Sequence, residues 1–163
     1  MRGHGTAPGA YAVVGEAVWW VTLVDATLVR HHPEPYDSVM AGQSPVQRQQ
    51  IEATLAGLRF VRNRTSSEGD LAKFIRASAP SKDPDNGRVT GWTWKPLPPP
   101  ALASLPQRAQ AWERTRYRAY YGQLAGHTLG EVFWRAATSL TLTATNAGPL
   151  AALASADTHN GPG

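Results

Sequence analysis

Apolar residues recur along this chain with a period near 3.6 in four long segments, and the pattern fails in one. From Tyr11 to Arg30, the positions Val14, Val18, Val21, Asp25 and Leu28 fall on one side of a helix. His31 and His32 sit at its end, where the helix dipole favours cations, and Pro33 and Pro35 stop it. A second helix starts at "SPVQ": Ser44 caps, Pro45 takes the first helical position and Gln47 completes a capping box. Its apolar stripe is Ile51, Leu55, Leu58 and Val61. "SEGDLAKFIRAS" predicts a third, shorter helix with Ser67 as cap and Leu71, Phe74 and Ile75 facing inward.

Residues 79–106 break the pattern, because proline and glycine exclude a helix there. Asn86-Gly87 signals a turn, and "RVTGWTWK" predicts a short extended piece with Trp92 and Trp94 on one face. The segment reads as a long loop pinned over the bundle by those two rings, and "KPLPPP" as a stiff connector. A fourth helix covers about Pro106 to Gly122, and a fifth follows His127, with Thr128 and Glu131 as a second capping box. "GEAVWW" and "GEVFWR" share Gly, Glu and Trp at equal spacing, which marks either two related helices with glycines (Gly15 and Gly130) for close packing or a coincidence.

The expected fold is therefore all-α: a four- or five-helix bundle with a long Pro/Gly/Trp-containing loop. Residues 11–147 form one helical domain between a flexible N-terminus, 1–10, and a flexible tail, 148–163. The first, second and fifth helices should form its centre, with Trp19, Trp20, Phe60, Phe133 and Trp134 filling the core or its rim.

Composition narrows the class. The chain has 163 residues, 42% hydrophobic and 17% charged, enough for one domain with a real core. It has no cysteine, which removes disulfides and thiolate metal sites. Glu16 and Asp25 interrupt the apolar N-terminal segment, so a buried amphipathic helix is expected rather than a membrane span or an export signal. A cytoplasmic location is the corresponding expectation. No histidine or carboxylate grouping has metal-ligand spacing, and no glycine loop or nucleophile motif points to a cofactor or a catalytic residue. Net charge is +4, and 13 of the 16 basic residues are arginine. The surplus favours polyanion contact, although an Arg-, Ala-, Gly- and Pro-rich composition is a second source for it.

Two stretches carry the candidate chemistry. In "LRFVRNRTSSEGD", Arg62 follows Leu58 by four residues and Leu55 by seven, so it shares their inward face. Asp25 lies on the inward row of the first helix. Each needs a partner if buried, and a register-fixing ion pair between Asp25 and Arg62 satisfies both. The alternative is that Arg62, helped by Asn63, grips a phosphate. In "RTRYRAYYGQ", Arg114, Arg116 and Arg118 interleave with Tyr117, Tyr120 and Tyr121. Arginines neutralise phosphates and tyrosines stack on bases. The plainer account is a helix whose tyrosines rim the core while its arginines are solvated.

The stretch around Arg62 and Asn63 resembles the arginine half of the HEPN superfamily motif, over about residues 44–75. In that motif arginine and a polar residue are followed, after a short spacer, by histidine. Here the histidine position holds Ser66, Ser67 and Glu68. The chain as a whole also resembles a group of actinobacterial helical proteins with the layout "GEAxWW…RNR…WxWxPL", a likeness that implies no activity. The HEPN resemblance implies a small helical bundle that is either an RNase or a non-catalytic binder.

Metal-free RNA cleavage needs a group that moves protons near neutral pH, usually histidine. The expectation is a degenerate HEPN-like domain that binds nucleic acid or a partner protein without catalysis. Its contacts would be Arg59, Arg62, Asn63 and Arg64, with Arg114 and Arg118. The alternatives are a metal-independent RNase using Arg62 with an unrecognised base, His127 foremost, and a structural or regulatory module. In the last case exposed tryptophans mark a homodimer or protein interface.

Overall fold

The structure, a computed structural model, describes residues 7–68, 71–78, 91–100 and 105–147. Five α-helices carry it: α1 (Ala7–His31), α2 (Pro33–Ala41), α3 (Pro45–Glu68), α4 (Gln107–Gln123) and α5 (Leu129–Ala147). A single 3-10 turn (Leu71–Lys73) and two short strands, β1 (Ile75–Ala77) and β2 (Trp92–Trp94), lie between α3 and α4. The all-α bundle is as expected. The expected turn at Asn86-Gly87 and the C-terminal tail lie outside the described residues.

Helix α1 begins at Ala7, four residues before the apolar periodicity, so part of the expected flexible N-terminus is helical. Pro33 does stop α1, but it also starts α2, where its fixed φ suits the first helical turn. Helix α2 is short, and it buries Val39 and Met40. The box at the start of α3 forms as expected. The Ser44 N–H donates to Gln47 Oε1 at 3.1 Å, and the Gln47 N–H donates to Ser44 Oγ at 3.3 Å.

Helix α3 lies at the centre, against α1, α4 and α5. It buries Leu55, Leu58, Phe60 and Val61 almost completely. Helices α3 and α4 run antiparallel and close. A Cβ added at Gly57 would stand 2.6 Å from Leu124 Cδ1 and 3.1 Å from Tyr120 Cα. Only glycine permits that approach. At Gly130, by contrast, an added Cβ would meet nothing within 4 Å, so the shared "GE" motif does not mark close packing there.

The third expected helix does not form. Helix α3 continues through Ser67 to Glu68, and the residues after it become a 3-10 turn and a strand. Leu71, Phe74 and Ile75 are buried, as their spacing required. Long-range pairing selects the strand. Ile75 lies opposite Trp94, Arg76 opposite Thr93 and Ala77 opposite Trp92. The Lys95 N–H donates to the Phe74 carbonyl at 2.7 Å, and Ser78 N–H to the Gly91 carbonyl at 2.7 Å. Those bonds satisfy backbone groups that a helix would otherwise pair locally.

The tryptophans of β2 anchor the segment that follows, as expected. Trp94 is fully buried among Tyr120 and Phe133, and Trp92 packs edge-on against Tyr11 with centroids 5.5 Å apart. Thr93 bridges to Thr128, which ties β2 to the start of α5. There the second capping box forms, with the Thr128 N–H donating to Glu131 Oε2 at 2.9 Å. That N–H, and then the Thr128 hydroxyl, hold the Glu131 carboxyl below its usual pKa range.

The expected core aromatics divide. Phe60 is buried and Phe133 partly so, but Trp19, Trp20 and Trp134 are 42%, 52% and 76% exposed. The reason is angular. The buried row of α1 runs through Val14, Val18, Thr22, Asp25 and Leu28. Trp20 lies about 200° around the helix from Val18 at 100° per residue, on the opposite side.

Candidate nucleic-acid interface

The two arginine-bearing stretches lie on neighbouring helices, and the structure treats them differently. In the C-terminal half of α3 the arginines have intramolecular partners. Asp25 is fully buried, and its carboxylate pairs with Arg59. This corrects the expected Asp25–Arg62 pair. Helices α1 and α3 run antiparallel: Asp25 meets Arg59, Trp19 meets Arg62, and Gly15 meets Leu71. Arg62 lies three residues beyond Arg59, a rise of about 4.5 Å. That displacement brings its guanidinium over the Trp19 ring, 5.9 Å from the centroid.

Tyr36 of α2 completes the Asp25 site, its hydroxyl donating to Asp25 Oδ1 at 3.2 Å. Burial, then the Asp25 charge and this hydrogen bond, push the Tyr36 pKa well up. Thus Asp25 joins three helices. A buried carboxylate with a guanidinium and a phenol around it has its charge and its acceptor sites satisfied.

Arg64 points away from α1 toward α4. Its Nε lies 3.7 Å from Glu113 Oε2, and its guanidinium stacks over Phe60 at 5.6 Å. Asn63 is exposed beside it. Of the four residues expected to form a site at this end of the bundle, Arg59, Arg62 and Arg64 therefore face three different neighbours. They do not converge on one cleft.

Helix α4 has the opposite arrangement. Its inward side carries Tyr120, fully buried, with Tyr117 half-buried. The Tyr120 hydroxyl donates to the Lys95 carbonyl at 2.5 Å and the Tyr117 hydroxyl to the Leu97 carbonyl at 2.8 Å. Burial pushes the Tyr120 pKa well up. These two rings belong to the core, so the interleaved tyrosines do not act as one stacking row. The acid of this helix, Glu113, also turns inward. Its side chain is 14% exposed and lies 3.5 Å from Arg116 and 3.7 Å from Arg64.

What remains outside is basic and aromatic. Arg108, Arg114 and Arg118 are exposed, as are Trp112 at 58% and Tyr121 at 55%. Arg114, Arg118 and Tyr121 follow at spacings of four and three, and Arg108, Trp112 and Thr115 do the same beside them. These are two adjacent rows on one helical surface. Arg116 stacks over Trp112 at 5.6 Å, and Arg114 donates to Gln110 at 3.4 Å. Sequence reasoning named Arg114 and Arg118 but missed Arg108 and Trp112. Their four-residue spacing was the available signal.

His127, the expected alternative base, lies at the β2–α5 junction. Its Nδ1 is 3.9 Å from Glu131, and its carbonyl accepts from the Trp94 N–H at 3.0 Å. Both contacts support the start of α5. A separate cavity of about 390 Å³ lies between α3 and α5, lined by Gln50, Ile51, Trp134 and Arg135 among others. Among the described residues no cluster of histidine and carboxylate side chains could hold a metal ion. Compared with known proteins, the chain matches no family model, no curated protein and no solved structure.

Proposed function

We propose that this chain is a non-catalytic, HEPN-like helical domain that binds single-stranded RNA across the outer face of α4. The observation that carries the reading is the inward turn of Glu113. It leaves α4 presenting Arg108, Arg114 and Arg118 with no acid of its own among them. Three outward guanidiniums supply phosphate contacts, and Trp112 and Tyr121 offer exposed ring faces for unpaired bases. A duplex hides those base faces within its stack, so the exposed rings favour single strands. The arginines of α3 support the fold in this reading.

The test is RNA binding and cleavage by wild type, Trp112→Ala and Arg62→Ala, followed by fluorescence anisotropy with a labelled oligouridylate at two salt concentrations. Wild type should bind without cleaving. Trp112→Ala should weaken binding about 5- to 150-fold, the 1–3 kcal/mol of one stacked base. Absence of salt-sensitive RNA affinity in wild type would end the proposal. Cleavage that Arg62→Ala abolishes would make the protein an RNase instead.

A further inference from the structure

Helix α1 has an apolar face that the described residues leave uncovered. The most apolar stretch within its segment Gly9–His31 has a mean hydropathy of 1.5, yet only 28% of that stretch is buried. Opposite the core row run Val13, Ala17, Trp20, Val24, Thr27 and His31. Their spacing alternates four and three, the seam of a helix that packs along its length against another helix. Val13 is 67% exposed, Trp20 52% and Val24 40%. The seam is about 27 Å long at 1.5 Å per residue.

The charges beside the seam identify what covers it. Glu16 and Arg30 lie on the same flank, two heptads apart, and both are exposed. In an antiparallel pair of identical helices, each Glu16 comes to the level of the partner's Arg30. A parallel pair would gather both Glu16 residues at one end and both Arg30 residues at the other. The face is therefore self-complementary in charge for one orientation, as a two-fold contact requires. The apolar pairs are centred one residue away, at the level of Thr22. In such a pair Trp20 would pack against the partner's Val24, and small Ala17 would lie opposite the partner's Thr27, leaving room for the indoles. Leu23 lies near the two-fold axis. A lipid surface fits less well. The opposite side of α1 holds the buried Asp25–Arg59 pair, and Glu16 and Arg30 lie beside the seam itself.

We propose that this face joins two copies of the chain, α1 against α1, antiparallel about Leu23, with Glu16 of each copy opposite the partner's Arg30. The contact is independent of RNA binding, because α4 contributes nothing to it.

Sedimentation equilibrium of the full chain tests it, with wild type, Glu16→Arg, Arg30→Glu, the double reversal and Trp20→Ala. All the substituted side chains are exposed, and circular dichroism checks that each variant is folded. Wild type should dimerise below about 100 µM. Each single reversal should weaken association about tenfold at low salt, since two symmetric pairs turn repulsive. The double reversal should return to within about threefold of wild type, which only the antiparallel register predicts. Trp20→Ala should weaken association about 30-fold or more, as the aromatic anchor of the contact. A wild type that stays monomeric, or a dimer indifferent to these changes, would overturn the proposal. So would flotation with phosphatidylglycerol vesicles that Trp20→Ala abolishes in a monomeric protein, which would assign the face to lipid.

Discussion

The C-terminal half of α3 and the outer face of α4 carry three arginines each: Arg59, Arg62 and Arg64 on one, Arg108, Arg114 and Arg118 on the other. The helices are antiparallel neighbours, and Arg64 approaches Glu113 across their interface. In α3 the side chains reach a buried carboxylate and a tryptophan face on α1 and a glutamate on α4. In α4 they stand on the surface, and the acid between them has turned away. Both stretches are rich in arginine. What differs is the environment each helix face meets: α3 is central and has neighbours around most of its circumference, whereas α4 packs on one side only. An arginine at the centre is drawn into structural pairing, because a guanidinium near a buried acid relieves that acid's desolvation.

The largest effect that would test this contrast comes from Arg59→Ala. It leaves Asp25 charged and buried with Tyr36 as its remaining hydrogen-bond donor. We expect a loss of about 3 kcal/mol in urea unfolding, the low end for a broken buried pair, because Arg59 is itself 37% exposed and water reaches that side. RNA affinity of the folded variant should stay within about twofold of wild type. Asp25→Asn in the same background should recover more than half of the loss, since it removes the uncompensated charge.

Gly57→Ala should cost about 2 kcal/mol despite the better helix propensity of alanine, because its methyl would meet Leu124 and the Tyr120 backbone. It moves α3 and α4 apart without changing any charge. A stabilised variant would show that the two helices yield at this point.

A smaller effect separates the two clusters by salt. Arg118→Ala should lower the dependence of log affinity on log salt by about 0.7, one phosphate contact on a single strand. Arg62→Ala should leave that slope unchanged. Equal slopes for both variants would erase the distinction between the helices.

The smallest effect appears only at alkaline pH. Tyr36 has its pKa raised, so the folded state holds that proton more tightly than the unfolded chain. Its contribution is complete below the ordinary tyrosine value of about 10 and is lost as pH rises through the folded-state value. Unfolding midpoints measured from about pH 8 to about pH 11 should fall less steeply in Tyr36→Phe than in wild type.

The helices and their starts were legible in the sequence because they depend on local chemistry. Ser44 with Gln47 and Thr128 with Glu131 cap through bonds three residues long, and the rows from Val14 to Leu28 and from Ile51 to Val61 need only the helical period. That Asp25 is buried and paired also followed from its place on the apolar row. Which arginine pairs with it did not. Arg59 and Arg62 are one turn apart, and the axial offset of α1 against α3 chose between them. The same holds for Ile75–Ala77, helical by its own pattern and a strand because Trp92–Trp94 lies beside it. It holds for Trp20 as well. Its hydrophobicity suggested a place in the core or its rim, and the number of helices packed around α1 left it outside. Period and capping act within a few residues, so the sequence carries them; partner, offset and exposure are properties of pairs of elements, and only packing decides them.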